Sequence, residues 1–97
     1  MKVLKLTIKR KWLNMLLSGE KLEDYREFNK YYESRLEGKW YDFVEFYIGG
    51  YFSETIPCAR FKFLGYKIGI GNVLWGAPAK DLVYIIKVGE LVEKNNI

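Results

Sequence analysis

Apolar and polar residues alternate strictly over residues 3–8, with Leu4, Leu6 and Ile8 on one side and Val3, Lys5 and Thr7 on the other. A period of two marks a strand with one buried face. At Lys9 the period changes. Trp12, Met15 and Leu16, with Leu13 and Leu17 beside them, share one face of a helix, and Gly19 supplies a left-handed stop. A helix this short is stable only when packed on a sheet. Its first turn is basic, which opposes the helix dipole.

Residues 21–28 can run extended, placing Leu22, Asp24 and Arg26 on one side and Glu23, Tyr25 and Glu27 on the other. Asn29 then has the character of an N-cap for a second short helix reaching Leu36 or Glu37, with Tyr32 and Leu36 as its buried stripe and Gly38 as its stop. Residues 42–48 are rich in β-branched and aromatic side chains and predict a strand that Gly49 and Gly50 end. Residues 51–56 suggest a hairpin or loop, and Pro57 leads into a longer strand through about Ile68. Along it the apolar positions change phase, from Phe61 and Phe63 to Leu64, Tyr66 and Ile68, which predicts a bulge near Gly65. Glycines bracket Val73, Leu74 and Trp75 as a loop before a last strand over 82–88 that continues near Leu91, leaving Asn95 and Asn96 as a frayed end.

The order is therefore strand, helix, strand, helix and three longer strands. It predicts an α+β fold: a curled, mixed but mostly antiparallel sheet, near a small β-barrel, with two short flanking helices. A doubly wound parallel sheet needs more helices. At 97 residues the chain is expected to be one domain spanning 1–97, and 49% hydrophobic and 18% aromatic residues suffice for a packed core. Neither a membrane span nor a leader segment is indicated, since Lys5, Lys9, Arg10 and Lys11 interrupt the first apolar stretch. A cytosolic, soluble protein is expected.

Chemistry is constrained by what the chain lacks. It has no histidine and one cysteine, Cys58, so the usual general base, the Ser-His and Cys-His pairs and an intramolecular disulfide are all excluded. No metal site or cofactor is expected, and Cys58 reads as a small buried filler. The net charge of +4 is unevenly spread. Residues 2–11 carry Lys2, Lys5, Lys9, Arg10 and Lys11 without an acid, and between Glu54 and Asp81 stand Arg60, Lys62, Lys67 and Lys80, again without one. If these segments meet in space they form a basic face suited to phosphates; otherwise they are two solvated faces.

The densest charge lies over residues 19–26. Gly19, Lys21, Asp24 and Arg26 reproduce the spacing Gly-x-Lys-x-x-Glu-x-Arg, with aspartate in place of glutamate. This chain resembles the ASCH superfamily in that motif and in its position after a strand and a short helix. It is also similar to small ASCH proteins of phages and bacteria in the opening Val3 to Ile8, in the helix end at Met15 to Gly19, in the segment Gly69 to Pro78 with its Trp75-Gly76-Ala77-Pro78, and in the closing Ile85 to Gly89. The resemblance implies a PUA-like β-barrel with an RNA-associated cleft faced by the motif residues. Within the family some members resemble amidohydrolases that deacylate a modified cytidine and some resemble ribonucleases.

Two chemical readings of the motif follow. Lys21 can act as a base if its pKa falls, provided Arg26 outweighs the attraction of Asp24. Alternatively Lys21 and Arg26 bind a phosphate while Asp24 fixes them. The plain structural alternative is an Asp24–Arg26 ion pair beside an exposed Lys21. The amidohydrolase branch of the family carries a threonine nucleophile where this chain has Asp24, and a downstream carboxylate that is missing between Arg60 and Lys80. Glu45 is the nearest substitute, although a strand glutamate of this kind usually faces solvent. Trp75, Tyr66 and Tyr47 are candidates for base stacking, and most aromatics are expected in the core. The preferred expectation is a protein that binds RNA or a nucleotide through Lys21, Asp24 and Arg26, helped by Lys9, Arg10, Lys11 and Trp75. The alternative is a small hydrolase of a modified nucleoside or RNA with Lys21 as base and Asp24 as nucleophile, and a role through a protein partner is left open.

Overall fold

A computed structural model of the chain describes residues 1–49 and 55–97. Five strands, β1 (Val3–Ile8), β2 (Glu23–Glu27), β3 (Phe43–Ile48), β4 (Cys58–Ile70) and β5 (Leu82–Asn95), form one sheet in the order β1-β3-β4-β5-β2. Two helices, α1 (Arg10–Ser18) and α2 (Lys30–Leu36), flank it. The fold is thus a small α+β structure with a mostly antiparallel sheet: among the described residues only β1 and β3 pair in parallel, and the path between them carries both helices and β2.

The alternation expected in the first strand holds. Leu4, Leu6 and Ile8 enter the core with Leu13 and Leu16 of α1, Val44 and Phe46 of β3, and Phe61 and Phe63 of β4. Full burial of such a side chain is worth about 1.5–3 kcal/mol, so this interior, with Tyr84 and Ile86 of β5, fixes which face of each strand points inward. Gly19 ends α1 in the left-handed conformation, at φ 82°. Asn29 caps α2 by accepting from the Tyr32 amide at 3.0 Å, and α2 stops at Glu37 with Gly38 left-handed just beyond it.

The phase change along β4 is a bulge. Phe63 pairs with Val88 and Tyr66 with Ile86, so β4 spends one more residue than β5 between these pairs, and Gly65 sits there at φ 102°. The extra residue keeps Phe61, Phe63 and Tyr66 on one face although their numbers switch from odd to even. Further register shifts on the β5 side let that strand follow the curvature to its end. Asn95 is consequently not frayed: it pairs with Cys58, and its amide lies 3.9 Å from the buried Cys58 sulfur. β4 likewise runs two residues beyond the expected Ile68, because Ile70 pairs with Leu82. The loop expected over 51–56 falls mostly outside the described residues.

β1 and β2 stand first and last in the sheet order, yet a side chain of one reaches the other. The Arg26 guanidinium of β2 donates through Nη2 to the Thr7 carbonyl of β1 at 2.8 Å. The sheet therefore curls until its edges are within side-chain reach. Among the described residues no backbone ladder joins them.

Candidate functional site

A cleft of about 550 Å³ opens where these edges meet. Its walls come from the ends of β1 and β3, from β2, from the start of α1 and from the turn at Trp75 and Gly76. Strand alternation places its central residues. Asp24 and Arg26 pair in register with Ile86 and Tyr84, two core residues, so both side chains point to the inner face of the curled sheet.

Asp24 and Arg26 form the expected ion pair, Nε to Oδ2 at 2.7 Å. The pair is largely dry, at 5% and 13% side-chain exposure. Burial alone would lower the Arg26 pKa, but Asp24 and Tyr32 together more than offset it and the net shift is upward. Arg26 stays charged. Among the described residues no donor is paired with Asp24 Oδ1, and no buried side-chain oxygen lacks a partner, so Oδ1 opens to the cleft as a free acceptor.

Lys21 is not an exposed bystander. It is 3% exposed, and its ammonium donates to the Trp75 carbonyl at 2.8 Å while lying 4.8 Å from the Trp12 ring centre and 5.4 Å from that of Tyr25. Its pKa is lowered, first by burial; Asp24 pulls it back up more strongly than Arg26 pushes it down. The condition set from sequence, that Arg26 must outweigh Asp24, is therefore not the one that operates. Desolvation does the work.

The turn that receives Lys21 is a short 3-10 segment, Val73–Trp75, capped by the Asn72 side chain and closed by Gly76 at φ 102°. Tyr25 ties it to β2. Its hydroxyl accepts from the Asn72 amide at 3.0 Å and donates to Glu23 at 2.9 Å. Burial, with the carboxylate of Glu23, pushes its pKa up to about 12 against the opposing pull of the Asn72 amide. Gly71 allows this approach, since a Cβ there would fall 2.6 Å from Ala77 Cβ and 2.7 Å from the Tyr25 ring. The sequence reading missed Tyr25 as an organiser. Its only signal was its place between Asp24 and Arg26.

No protein-family model, no curated protein and no solved structure matches this chain. The geometry has to carry the reading. Of the residues expected at the site, Lys9, Arg10, Lys21, Asp24, Arg26 and Trp75 line the cleft, and Lys11 does not. One helical step turns Lys11 aside, and its ammonium rests 4.6 Å from the Trp12 ring centre. Trp75 contributes a half-buried ring in addition to its carbonyl. Tyr66 packs against the core beside Tyr84, and Tyr47 is buried against Glu45, so neither lines the cleft.

Glu45 corrects two expectations. It is 6% exposed rather than solvent-facing, bonded to Tyr47 and to Arg60 Nε at 2.8 Å. It also lies on the opposite face of β3 from Val44 and Phe46, which point into the core. It cannot serve as a second carboxylate for the cleft. The two acid-free segments meet only in part: Lys9 and Arg10 face the Trp75 turn across the cleft, whereas Arg60 and Lys62 pair elsewhere with Glu45 and Glu90. Among the described residues no cluster of carboxylate and cysteine side chains suits a metal ion, and no helix is long and apolar enough to cross a membrane.

Proposed function

We propose that this chain is a PUA-like protein of the ASCH type, its curled sheet being a small barrel, and that the cleft binds RNA or a nucleotide. The supporting observation is the charge of the cleft: four cations, Lys9, Arg10, Lys21 and Arg26, surround one carboxylate, Asp24. An anionic ligand suits that imbalance. Lys9 and Arg10 are exposed, have no ion pair among the described residues and offer themselves to a phosphate. Asp24 Oδ1 accepts from a hydroxyl or amino group, and the half-buried Trp75 in the wall gives a base surface to lie on. The volume falls within the usual range for small-molecule sites, roughly 300–1,000 Å³.

Titration of fluorescent single-stranded RNA and of nucleoside monophosphates over a salt series tests this. Affinity should fall steeply with salt and drop about tenfold or more in Lys9→Ala/Arg10→Ala, whose exposed positions carry no core packing. Undetectable or salt-independent binding would falsify the reading.

One observation favours the hydrolase alternative: the lowered pKa of Lys21 makes its free amine more accessible as a base. Asp24 would then attack or orient water. The confinement of Glu45 to the other face leaves that chemistry without a second carboxylate. Turnover of acylated cytidine or RNA that disappears in Lys21→Ala would decide for the enzyme.

A further inference from the structure

A second cavity, of about 650 Å³, adjoins the cleft, and the two share Tyr25, Arg26 and Gly76 as a common wall. Its character is different. Arg26 and Lys80 are balanced there by Glu27 and Asp81, and the remaining surface includes Phe28, Pro78 and Leu82. A cavity with balanced charge and apolar walls does not favour a second phosphate. It suits a flat, uncharged group such as a nucleobase.

Phe28 is placed to receive one. The residue is 48% exposed, and its ring is backed by Tyr84 with centroids 5.1 Å apart. Lys80 is exposed at the rim, in the left-handed conformation at φ 65° that few lysines adopt, and has no ion pair among the described residues. The Arg26 wall between the cavities is where a group joining two occupants would have to pass.

We infer that the second cavity is a subsite for the neighbouring nucleotide of a single-stranded RNA whose first nucleotide fills the cleft. This rests on the nucleotide reading above and narrows it from a free nucleotide to a strand. The second base stacks on Phe28, and the single phosphodiester crosses the shared wall between Arg26 and Lys80. The added affinity comes from one base stack and one phosphodiester held by cations, so the advantage of a dinucleotide over a mononucleotide should fall with salt by the share of a single phosphate contact and keep a salt-independent remainder from the stack.

The test is a calorimetric titration of a 5′-mononucleotide and of the dinucleotide that extends it. The dinucleotide should bind the native chain about tenfold more tightly, the typical scale of one aromatic–base stack. Phe28→Ala should remove that advantage without altering mononucleotide affinity. Phe28→Leu, which keeps apolar bulk against Tyr84 and so guards against simple misfolding, should do the same, and Lys80→Gly, compatible with the local backbone, should reduce it. Equal affinity for the two ligands in the native chain, or a dinucleotide advantage that survives in Phe28→Leu, overturns the subsite and leaves the cleft reading standing. If neither ligand binds, the nucleotide reading itself falls and this inference falls with it.

Discussion

Removing one partner of the Asp24–Arg26 pair should cost a substantial part of the stability of the whole domain. Both side chains are mostly dry, at 5% and 13% exposure, and they meet at 2.7 Å. Breaking a buried pair by deleting one partner typically costs about 3–5 kcal/mol, because the other charge is left uncompensated. In Asp24→Leu the stranded guanidinium keeps the Thr7 carbonyl at 2.8 Å and some water, so the lower end, about 3 kcal/mol, is expected. Against a total of roughly 5–15 kcal/mol for a domain of ordinary stability, that is a large fraction. Arg26→Met should be similarly damaging, since it strands the carboxylate and frees the Thr7 carbonyl together. The double variant should be more stable than the two single losses predict, with a coupling of about 2 kcal/mol. It should not reach the native value, because the orphaned Thr7 carbonyl still costs about 1–3 kcal/mol. Urea unfolding of the four proteins at neutral pH measures these terms. Single losses below about 1 kcal/mol with no coupling would mean that the pair behaves like an exposed ion pair and that the cleft floor is not dry.

The pH dependence of stability reports on Lys21 separately. Its folded pKa lies below 10.5, so between that pKa and 10.5 the unfolded chain binds more protons and stability rises with pH. Tyr25, raised to about 12, acts in the opposite sense above pH 10, where the unfolded tyrosine loses its proton first. Comparison with Lys21→Met cancels the tyrosine contribution: the stability of the native chain relative to the variant should increase from neutral pH toward 10.5, and a flat difference would refute a desolvated ammonium. Glu45→Gln, on the outer face, should lower stability by about 1–3 kcal/mol through its weakened contact with Arg60 yet leave ligand affinity unchanged. A loss of binding there would show that the two faces of the sheet are not independent.

Local signals carried much of this structure. The alternation of β1, the glycine that ends α1, the Asn29 cap and the bulge at Gly65 each depend on residues within a turn or two of one another, and each is visible in the chain. The motif positions also converge, since a two-residue spacing on a strand puts Asp24 and Arg26 on one face whatever lies around them. What could not be read depends on contacts far apart in sequence. The carbonyl that receives Lys21 is 54 residues away, and the amide held by Tyr25 is 47 residues away. Glu45 shows the same limit in another form: its position in the alternation is outward, as expected, but Tyr47 and Arg60 close over it, so outward does not mean exposed. Lys11 sits between two residues that line the cleft, and only the rotation of the helix separates it from them.

The location of the cleft follows from how the sheet ends. A curled sheet whose first and last strands approach without pairing leaves backbone acceptors along the seam, and such groups must find donors. Along β1 the donors are arginines: Arg26 takes the Thr7 carbonyl, and Arg35 of α2 takes the Lys5 carbonyl at 3.1 Å. A guanidinium drawn into the seam brings its own requirement for a carboxylate, which Asp24 meets at 2.7 Å. The polar heart of the cleft is thus demanded by the architecture before any ligand arrives, and Asp24 and Arg26 cannot be read as functional merely because they are buried and charged. Lys21 is different. It satisfies no strand edge, and its ammonium donates to the Trp75 carbonyl in the cleft wall, a task that a neutral donor could perform without the cost of burying an ammonium. Lys9 and Arg10 similarly place charge at a helix start where the dipole disfavours it, with no acid in the first turn to offset it. The residues whose charge the fold does not need are the ones that argue for an anionic ligand.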